Sequence, residues 1–286
     1  MLKNRKIIFI SIIILALLSG CIFYFYYSQR HPHKFQVTFF DIGQGDSALI
    51  QFGNGQKMLV DCGPDKKILA KLGQALPFYD RTIDYVLATH PDLDHYGGCV
   101  DVLKKYKVKE IVINGRKKEN DPYWRAWDKA VKDEPGGIVK IMDSPEEWVI
   151  ASSTLDFLSP DASLPLDVAA ADSNNYSIVF KLKNDRTSFL FTGDMEEPLE
   201  KALVQKYCST NSTCSKLQAN ILKVGHHGSG SSSGQEFLDL VQPQIAVVSV
   251  GKNNHYGHPS LRVLKKLERA GADILRTDKS GDIIEN

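Results

Sequence analysis

Apolar and polar positions along this chain follow one succession four times. Residues 83–88 form an apolar run, residues 89–95 are polar, and 98–106 carry apolar positions at helical spacing. The same order returns at 188–191, 192–194 and 196–207, then at 220–224, 225–229 and 235–241, and again at 245–250, 251–259 and 260–270. Short, β-branched apolar runs are what strands covered on both faces require. Upstream, residues 35–40 alternate into DIGQGDS (41–47), residues 48–52 form a second run, Asn54-Gly55 is a hairpin signal, and 57–60 return. Further strands are expected at 149–158 and 177–183. The simplest packing of these elements is an α/β fold with two sheets sandwiched between helices, a four-layer αββα arrangement. In layered folds ligands gather beyond the carboxyl ends of the strands, which is where all four polar loops fall. Residues 114–137, largely polar but containing Trp124, Trp127 and Pro135-Gly136-Gly137, are expected as an excursion over the entrance to that region.

Before this body the pattern changes. Residues 7–27 are apolar except Ser11, Ser19, Gly20 and Cys21. About 20 such residues span a bilayer as a helix. Lys3, Arg5 and Lys6 precede them, so that end is expected to stay cytoplasmic and the body to face outward. Two readings stand side by side. LSGC at 18–21 resembles a bacterial lipoprotein box with Cys21 as the lipidated residue, whereas the continuation IFYFYY suits an uncleaved anchor. The expected organisation is residues 1–28 as anchor or lipoprotein signal, 29–34 as linker, and 35–286 as one domain.

Composition adds exclusions. With 43% hydrophobic and 24% charged residues the chain is an ordinary globular protein rather than a disordered one. Of 35 basic residues four lie in residues 1–30, where no acid occurs, so the body is slightly acidic and has no global field for attracting DNA. A local basic cluster occurs at Arg116-Lys117-Lys118. Cys208 and Cys214 bracket a polar loop and read as a small-loop disulfide in an oxidising compartment, whereas Cys62 and Cys99, in apolar contexts, read as buried thiols.

The chemistry lies in the loops. Of eight histidines, His31 and His33 are in the linker. The other six, His90, His95, His226, His227, His255 and His258, fall in three of the polar loops. Imidazole and carboxylate together are the ligand set of zinc, manganese or iron. Asp92 and Asp94 repel each other unless a cation lies between them. His90 and Asp92 are placed to reach one ion, Asp94 and His95 a second, and Asp194 has the chemistry to bridge both. The structural alternatives are that Asp94 and Asp194 merely cap helices and that His255 is a surface residue. Ser229–Ser233 has no base beside it in sequence, which argues against a serine nucleophile.

HPDLDHYGG (90–98) resembles the HxHxDH signature of the metallo-β-lactamase superfamily, with Asp92 in place of the second histidine. VDCG (60–63), NNYSIVF (174–180), FTGD (191–194), KVGHHGS (223–229) and YGHPS (256–260) continue the framework. With DIGQGDS, the set resembles the hydrolase domain of ComEC-type competence channels, which act on DNA during uptake. The resemblance covers residues 35–286 and implies two divalent metal ions, Zn or Mn. It implies as metal ligands His90, Asp92, Asp94, His95, Asp194 and one or both of His226 and His227. His258 or His226 would assist the leaving group and Asp61 would orient the ligand loops. Asp92 shifts the site towards harder ions such as manganese, and Ser173-Asn174-Asn175 stands where the broader superfamily has another histidine.

The expected function is a membrane-attached, extracytoplasmic, metal-dependent phosphodiesterase or nuclease acting on DNA, with the strand lying along Lys117, Lys118, Trp124 and Trp127. The alternatives are a phosphodiesterase on a cell-envelope headgroup of the phosphocholine-ester kind and a non-catalytic, metal-bound binding subunit.

Overall fold

The computed structural model describes residues 2–30, 33–119, 121–164, 172–185, 187–208 and 214–286. Helix α1 (Leu2–Arg30) comes first. It takes in the start of the expected linker, of which residues 31 and 32 lie outside the described residues. Within α1 the described side chains from Phe9 to Phe23 are all exposed. Among the described residues no helix is long and apolar enough to cross a membrane.

The body then lays down β1 (Gln36–Phe39), β2 (Ala48–Gln51), β3 (Lys57–Val60), α2 (Lys67–Ala75), β4 (Thr82–Ala88), α3 (Leu93–Tyr96), α4 (Cys99–Lys105), β5 (Lys107–Ile113), α5 (Pro122–Asp133) and β6 (Ile138–Ile141). The second half follows as β7 (Glu146–Ile150), β8 (Ser153–Ser159), β9 (Val179–Asn184), β10 (Thr187–Phe191), α6 (Glu197–Tyr207), β11 (Ile221–Lys223), α7 (Gln235–Val241), β12 (Ile245–Val248), α8 (Leu261–Arg269), β13 (Asp273–Arg276), α9 (Thr277–Ser280) and β14 (Ile283–Glu285). These strands make two seven-stranded sheets, β14-β1-β2-β3-β4-β5-β6 and β13-β12-β11-β10-β9-β8-β7.

Alternation of side chains along each strand builds three apolar layers. Ala48, Ile50, Met58 and Val60 meet Phe189, Phe191 and Ile221 between the sheets. The intervening Leu49 and Leu59 face outward onto Ile68, Leu72 and Val102 of α2 and α4. Leu190 and Leu222 face outward onto Leu199, Leu203, Leu238 and Leu267 of α6, α7 and α8. Helix, sheet, sheet, helix is the order expected from the sequence. β3, β4, β5 and β6 run parallel, as do β10, β11, β12 and β13, so their carboxyl ends deliver several loops to one rim.

Two expectations need correction. Cys62 and Cys99 are joined as a disulfide rather than held as thiols, and Cys208 and Cys214 form the second bridge. Cys62 follows β3 and Cys99 opens α4. The Gly98 N–H donates to Gly63 O and the Cys62 N–H to His95 O, which bring the two cysteines to a Cα separation of 5.2 Å. That proximity is tertiary, so the apolar neighbours of each cysteine carry no trace of it. Trp124 and Trp127 are not offered to a ligand either. α5 starts at an Asp121 cap followed by Pro122, and its three-residue spacing turns both indoles inward, 6% and 1% exposed, onto Tyr96. Polar average composition hid an amphipathic helix.

Candidate metal centre

β4 ends at Ala88, and the next seven residues turn sharply. The loop is tied from below. The Asp46 N–H donates to Asp94 O and the Gly63 N–H to Asp46 O. Gly45 (φ +129°) lies so near this loop that a Cβ there would be 2.3 Å from Asp94 O, so DIGQGDS needs its second glycine for close approach.

Asp61 sets the orientation of two imidazoles. It is 1% exposed and sits at φ 55°, a conformation a non-glycine residue holds only when its surroundings impose it. Its Oδ1 accepts the Thr89 N–H at 2.8 Å and its Oδ2 accepts the Thr89 hydroxyl at 2.8 Å. The same Oδ2 lies 2.8 Å from His95 Nδ1, which therefore donates. With its proton committed to Asp61, Thr89 Oγ1 can only accept from His90 Nδ1 at 3.1 Å. Both Nε2 atoms thus turn towards the interior of the site.

They meet Asp194, carried past the end of β10 and held by its N–H to Ser177 Oγ. His95 Nε2 stands 3.2 Å from Asp194 Oδ1, and His90 Nε2 stands 3.9 Å from Oδ2. Beyond β11 the turn at residues 225–228 puts His226 and His227 at φ 46° and 52°, so the two rings diverge. His227 is drawn inward. Its Nδ1 donates to Ser249 O at 2.9 Å, and its Nε2 lies 3.2 Å from Asp94 Oδ2 and 3.5 Å from Asp194 Oδ2. His226 stands at the rim with Nδ1 on Glu196 Oε1 at 2.9 Å and Nε2 3.9 Å from Asp194. Its ring is 5.6 Å from that of His258.

The donors fit a cation. His90, His95 and Asp194 form one group able to hold an ion, Asp94, His95 and His227 another, and Asp46, Asp194 and His227 a third. His90 Nε2, His95 Nε2, Asp194 Oδ1 and Asp46 Oδ1 are buried without a hydrogen bond. His95 Nε2 and Asp194 Oδ1 are close but misaligned for one. Buried polar atoms rarely go unpaired, and the three from His90, His95 and Asp194, which lie within reach of one ion, are what a metal would satisfy. Asp92 is not in these groups. It is partly exposed, its Oδ1 is held by Lys118 Nζ at 2.6 Å and Ser173 Oγ at 2.8 Å, and His90 Nε2 is 3.9 Å away. Asn174 approaches His226, while Asn175 Oδ1 accepts the N–H groups of Glu196 and Leu199 at the start of α6. His255 is exposed.

The charges tell the same story. Burial pushes Asp194 up, but His227 and His95 outweigh it and hold the carboxyl well below its usual range. Burial likewise raises Asp94, and the His227 and His95 imidazoles more than reverse this. Burial opposes charge on His95, yet Asp194 and Asp61 hold its pKa well above the ordinary value. Against the same opposition, Asp194 and Asp46 raise His227 to about 10. His90 moves down, through burial and then the neighbouring His95. Protons on imidazole balance the carboxylates here, and a divalent ion would displace them.

Lys223, 4% exposed, was not anticipated at the site. Its ammonium lies 2.6 Å from Asp46 Oδ2 while Asp46 Oδ1 is 3.2 Å from His227 Nδ1. Its signal was parity, since in β11 it shares a face with Ile221, which points between the sheets. Glu196 and Ser249 carried no comparable local signal.

The description of the Metallo-beta-lactamase superfamily matches residues 40–252. The chain belongs to that superfamily. ComE operon protein 3 of Bacillus subtilis (strain 168) is 33% identical over 265 residues, covering 87% of this chain and 32% of that protein. Competence protein ComA of Neisseria gonorrhoeae is 29% identical over 249 residues, covering 86% and 31%. The resemblance to ComEC-type hydrolase domains therefore holds, and the chain spans about a third of the length of these relatives. Among solved structures, the metallo-beta-lactamase fold protein YhfI from Bacillus subtilis aligns with 88% of this chain and 99% of its own at a TM-score of 0.55, with 12% identity. That likeness speaks to the superfamily's fold alone.

Proposed function

We propose that this superfamily member is a divalent-metal-dependent phosphodiesterase whose substrate is DNA, held at the outer face of a membrane by residues 1–28. The observation that carries the reading is the convergence of three orphaned buried ligand atoms, from His90, His95 and Asp194, at one rim. The competence proteins among its relatives support nucleic acid as the substrate class.

Asp94, His95 and His227 would hold one ion, and His90 with Asp194 a second, Asp92 lying at its edge. Manganese or zinc, when bound, supplies a polarised phosphoryl oxygen and a water acidic enough to attack phosphorus. The chain's own groups do the rest. Asp61 and Thr89 keep His90 and His95 turned inward. Glu196 anchors His226 Nδ1 and leaves Nε2 facing the centre, where it would deliver a proton to the departing oxygen. His258 lines the mouth beside it. Lys118, extended over Asp92, would attract the phosphate backbone.

α1 carries exposed apolar side chains along residues 9–23 behind the basic Arg5 and Lys6, which supports insertion in a bilayer. Two disulfides support an oxidising, extracytoplasmic compartment. Cys21, exposed and unpaired, is the residue a lipid would modify. Cell fractionation with palmitate labelling separates an anchor, a lipoprotein and a protein released to the soluble fraction.

Purified protein loaded with manganese or zinc should cleave single-stranded DNA and bis-p-nitrophenyl phosphate, and lose both activities on chelation. Cleavage of p-nitrophenyl phosphorylcholine alone would transfer the reading to a cell-envelope headgroup. Bound metal with no activity on any of these would leave a binding subunit.

A further inference from the structure

The rim of the metal centre carries two stacked pairs of side chains, of which Tyr256, Arg116 and Tyr176 have no part in the chemistry described above. On one side, past β12, Tyr256 is 71% exposed, and its ring lies 5.8 Å from that of His258 at an interplanar angle of 18°. On the other side, past β5, the Arg116 guanidinium lies 3.7 Å above the ring of Tyr176. Strand order places them on opposite flanks. In the second sheet β12, β11, β10 and β9 are successive neighbours. The loops after β11 and β10 carry His227 and Asp194, and Tyr176 precedes β9. Between the flanks lie Lys118, Asp92 and the metal-ligand cluster on one side and His226 and His258 on the other.

A single exposed aromatic residue is ordinary, but this one is presented. Asn254 uses its whole amide to brace the loop. Its Oδ1 accepts the N–H of Tyr256 and of His258, and its Nδ2 donates to His258 O and Gly251 O. The Gly251 N–H in turn donates to Gln44 Oε1 of the DIGQGDS loop. Tyr256 thus stands on a turn tied to the floor of the site, with its ordering cost met before any ligand arrives. Phe78 and Tyr79 are equally exposed, but they precede β4 and so lie at the opposite end of the strands from the metal loops.

Resting on the phosphodiesterase reading above, we propose that Tyr256, backed by His258, is a stacking platform for an unpaired nucleobase beside the scissile phosphodiester. The centre then takes single-stranded nucleic acid in preference to duplex. Stacking needs a free base face, which a paired and stacked duplex does not offer. Arg116 on Tyr176 supplies a second planar surface on the far flank, and Lys118 a cation for the backbone between them.

The test uses the full chain in detergent with manganese, and three substrates of one length: a single-stranded oligonucleotide, an abasic strand with the same backbone, and a duplex. The wild type should cleave the base-bearing strand about 10-fold more efficiently than the abasic strand, the scale of one base–aromatic stack, and should cleave the duplex least. Tyr256→Ala should bring the ratio of base-bearing to abasic rates close to one, and Tyr256→Phe should restore it. A general disturbance of His258 would slow all substrates alike and leave that ratio unchanged. A wild-type ratio near one, a ratio that survives Tyr256→Ala, or a duplex cleaved as fast as the single strand would each overturn the inference alone. A protein that cleaves no strand at all would overturn the phosphodiesterase reading together with it.

Discussion

Asp61→Asn replaces one oxygen with an amide nitrogen and leaves shape nearly unchanged, so it changes proton placement and removes one negative charge beside His95 without opening a cavity. The retained oxygen keeps the Thr89 N–H, since an amide NH₂ cannot face that donor. The new NH₂ therefore takes the place of Oδ2, 2.8 Å from Thr89 Oγ1 and 2.8 Å from His95 Nδ1. It donates where a carboxylate accepted. His95 Nδ1 becomes an acceptor, so the one proton left on the neutral, metal-binding ring sits on Nε2. Thr89 Oγ1 now receives a hydrogen bond and sends its own proton to His90 Nδ1, 3.1 Å away, which moves the His90 proton to Nε2 as well. Both ligand nitrogens that face Asp194 would then carry hydrogen instead of a lone pair. Loss of one such supporting partner commonly costs about 10–100-fold in metal affinity, and two inverted imidazoles place this variant near the upper end, about 2.8 kcal/mol. Calorimetric titration with manganese or zinc near neutral pH measures it, with circular dichroism as the check on folding. Wild-type affinity in a folded Asp61→Asn protein would refute the proton relay through Thr89.

The remaining predictions are shorter. Because His95 and His227 are held protonated by the carboxylates around them, metal binding should release protons. Affinity should therefore rise with pH while these imidazoles are still being deprotonated, by up to about tenfold per pH unit for each proton; titrations at several pH values in buffers of different ionisation enthalpy measure this. Burial raises Glu200 to about 7, although it accepts the N–H groups of Gly234 and Ser233. Between its unfolded pKa and about 7 the folded protein holds the extra proton, so stability should fall as pH rises through that window, and melting curves should show a flatter profile in Glu200→Gln. Phe180→Ala removes a fully buried ring stacked 4.7 Å from Phe191 and should cost about 3–5 kcal/mol in denaturant unfolding. Cys62→Ser with Cys99→Ser opens a link across 37 residues and should cost about 3–4 kcal/mol in the same measurement.

What could be read from the sequence divides by distance along the chain. The layers were legible because each strand writes its own burial in alternate residues. The loop at 90–95 was legible because its ligand types are adjacent. The choice between His226 and His227 was not. Both occupy the same kind of left-handed turn, and their directions are set by Glu196 and Ser249, which lie 30 and 22 residues away. Asp92 was read as a ligand from its place in the motif, yet Lys118 and Ser173, 26 and 81 residues on, hold its carboxylate at the rim. Trp124 and Trp127 were misplaced because a polar average was taken over a segment whose helical period carried the information. The buried Lys223 shows how such gaps could be narrowed. A lysine on the inward face of a covered strand must find a buried anion. Asp46, behind a glycine that lets its loop approach Asp94, is the anion it finds. That pair sets an ammonium against Asp46, one of three carboxylates, with Asp94 and Asp194, that crowd around His227. The cluster can therefore stay folded before a metal arrives, and the ion that binds need not supply all the countercharge.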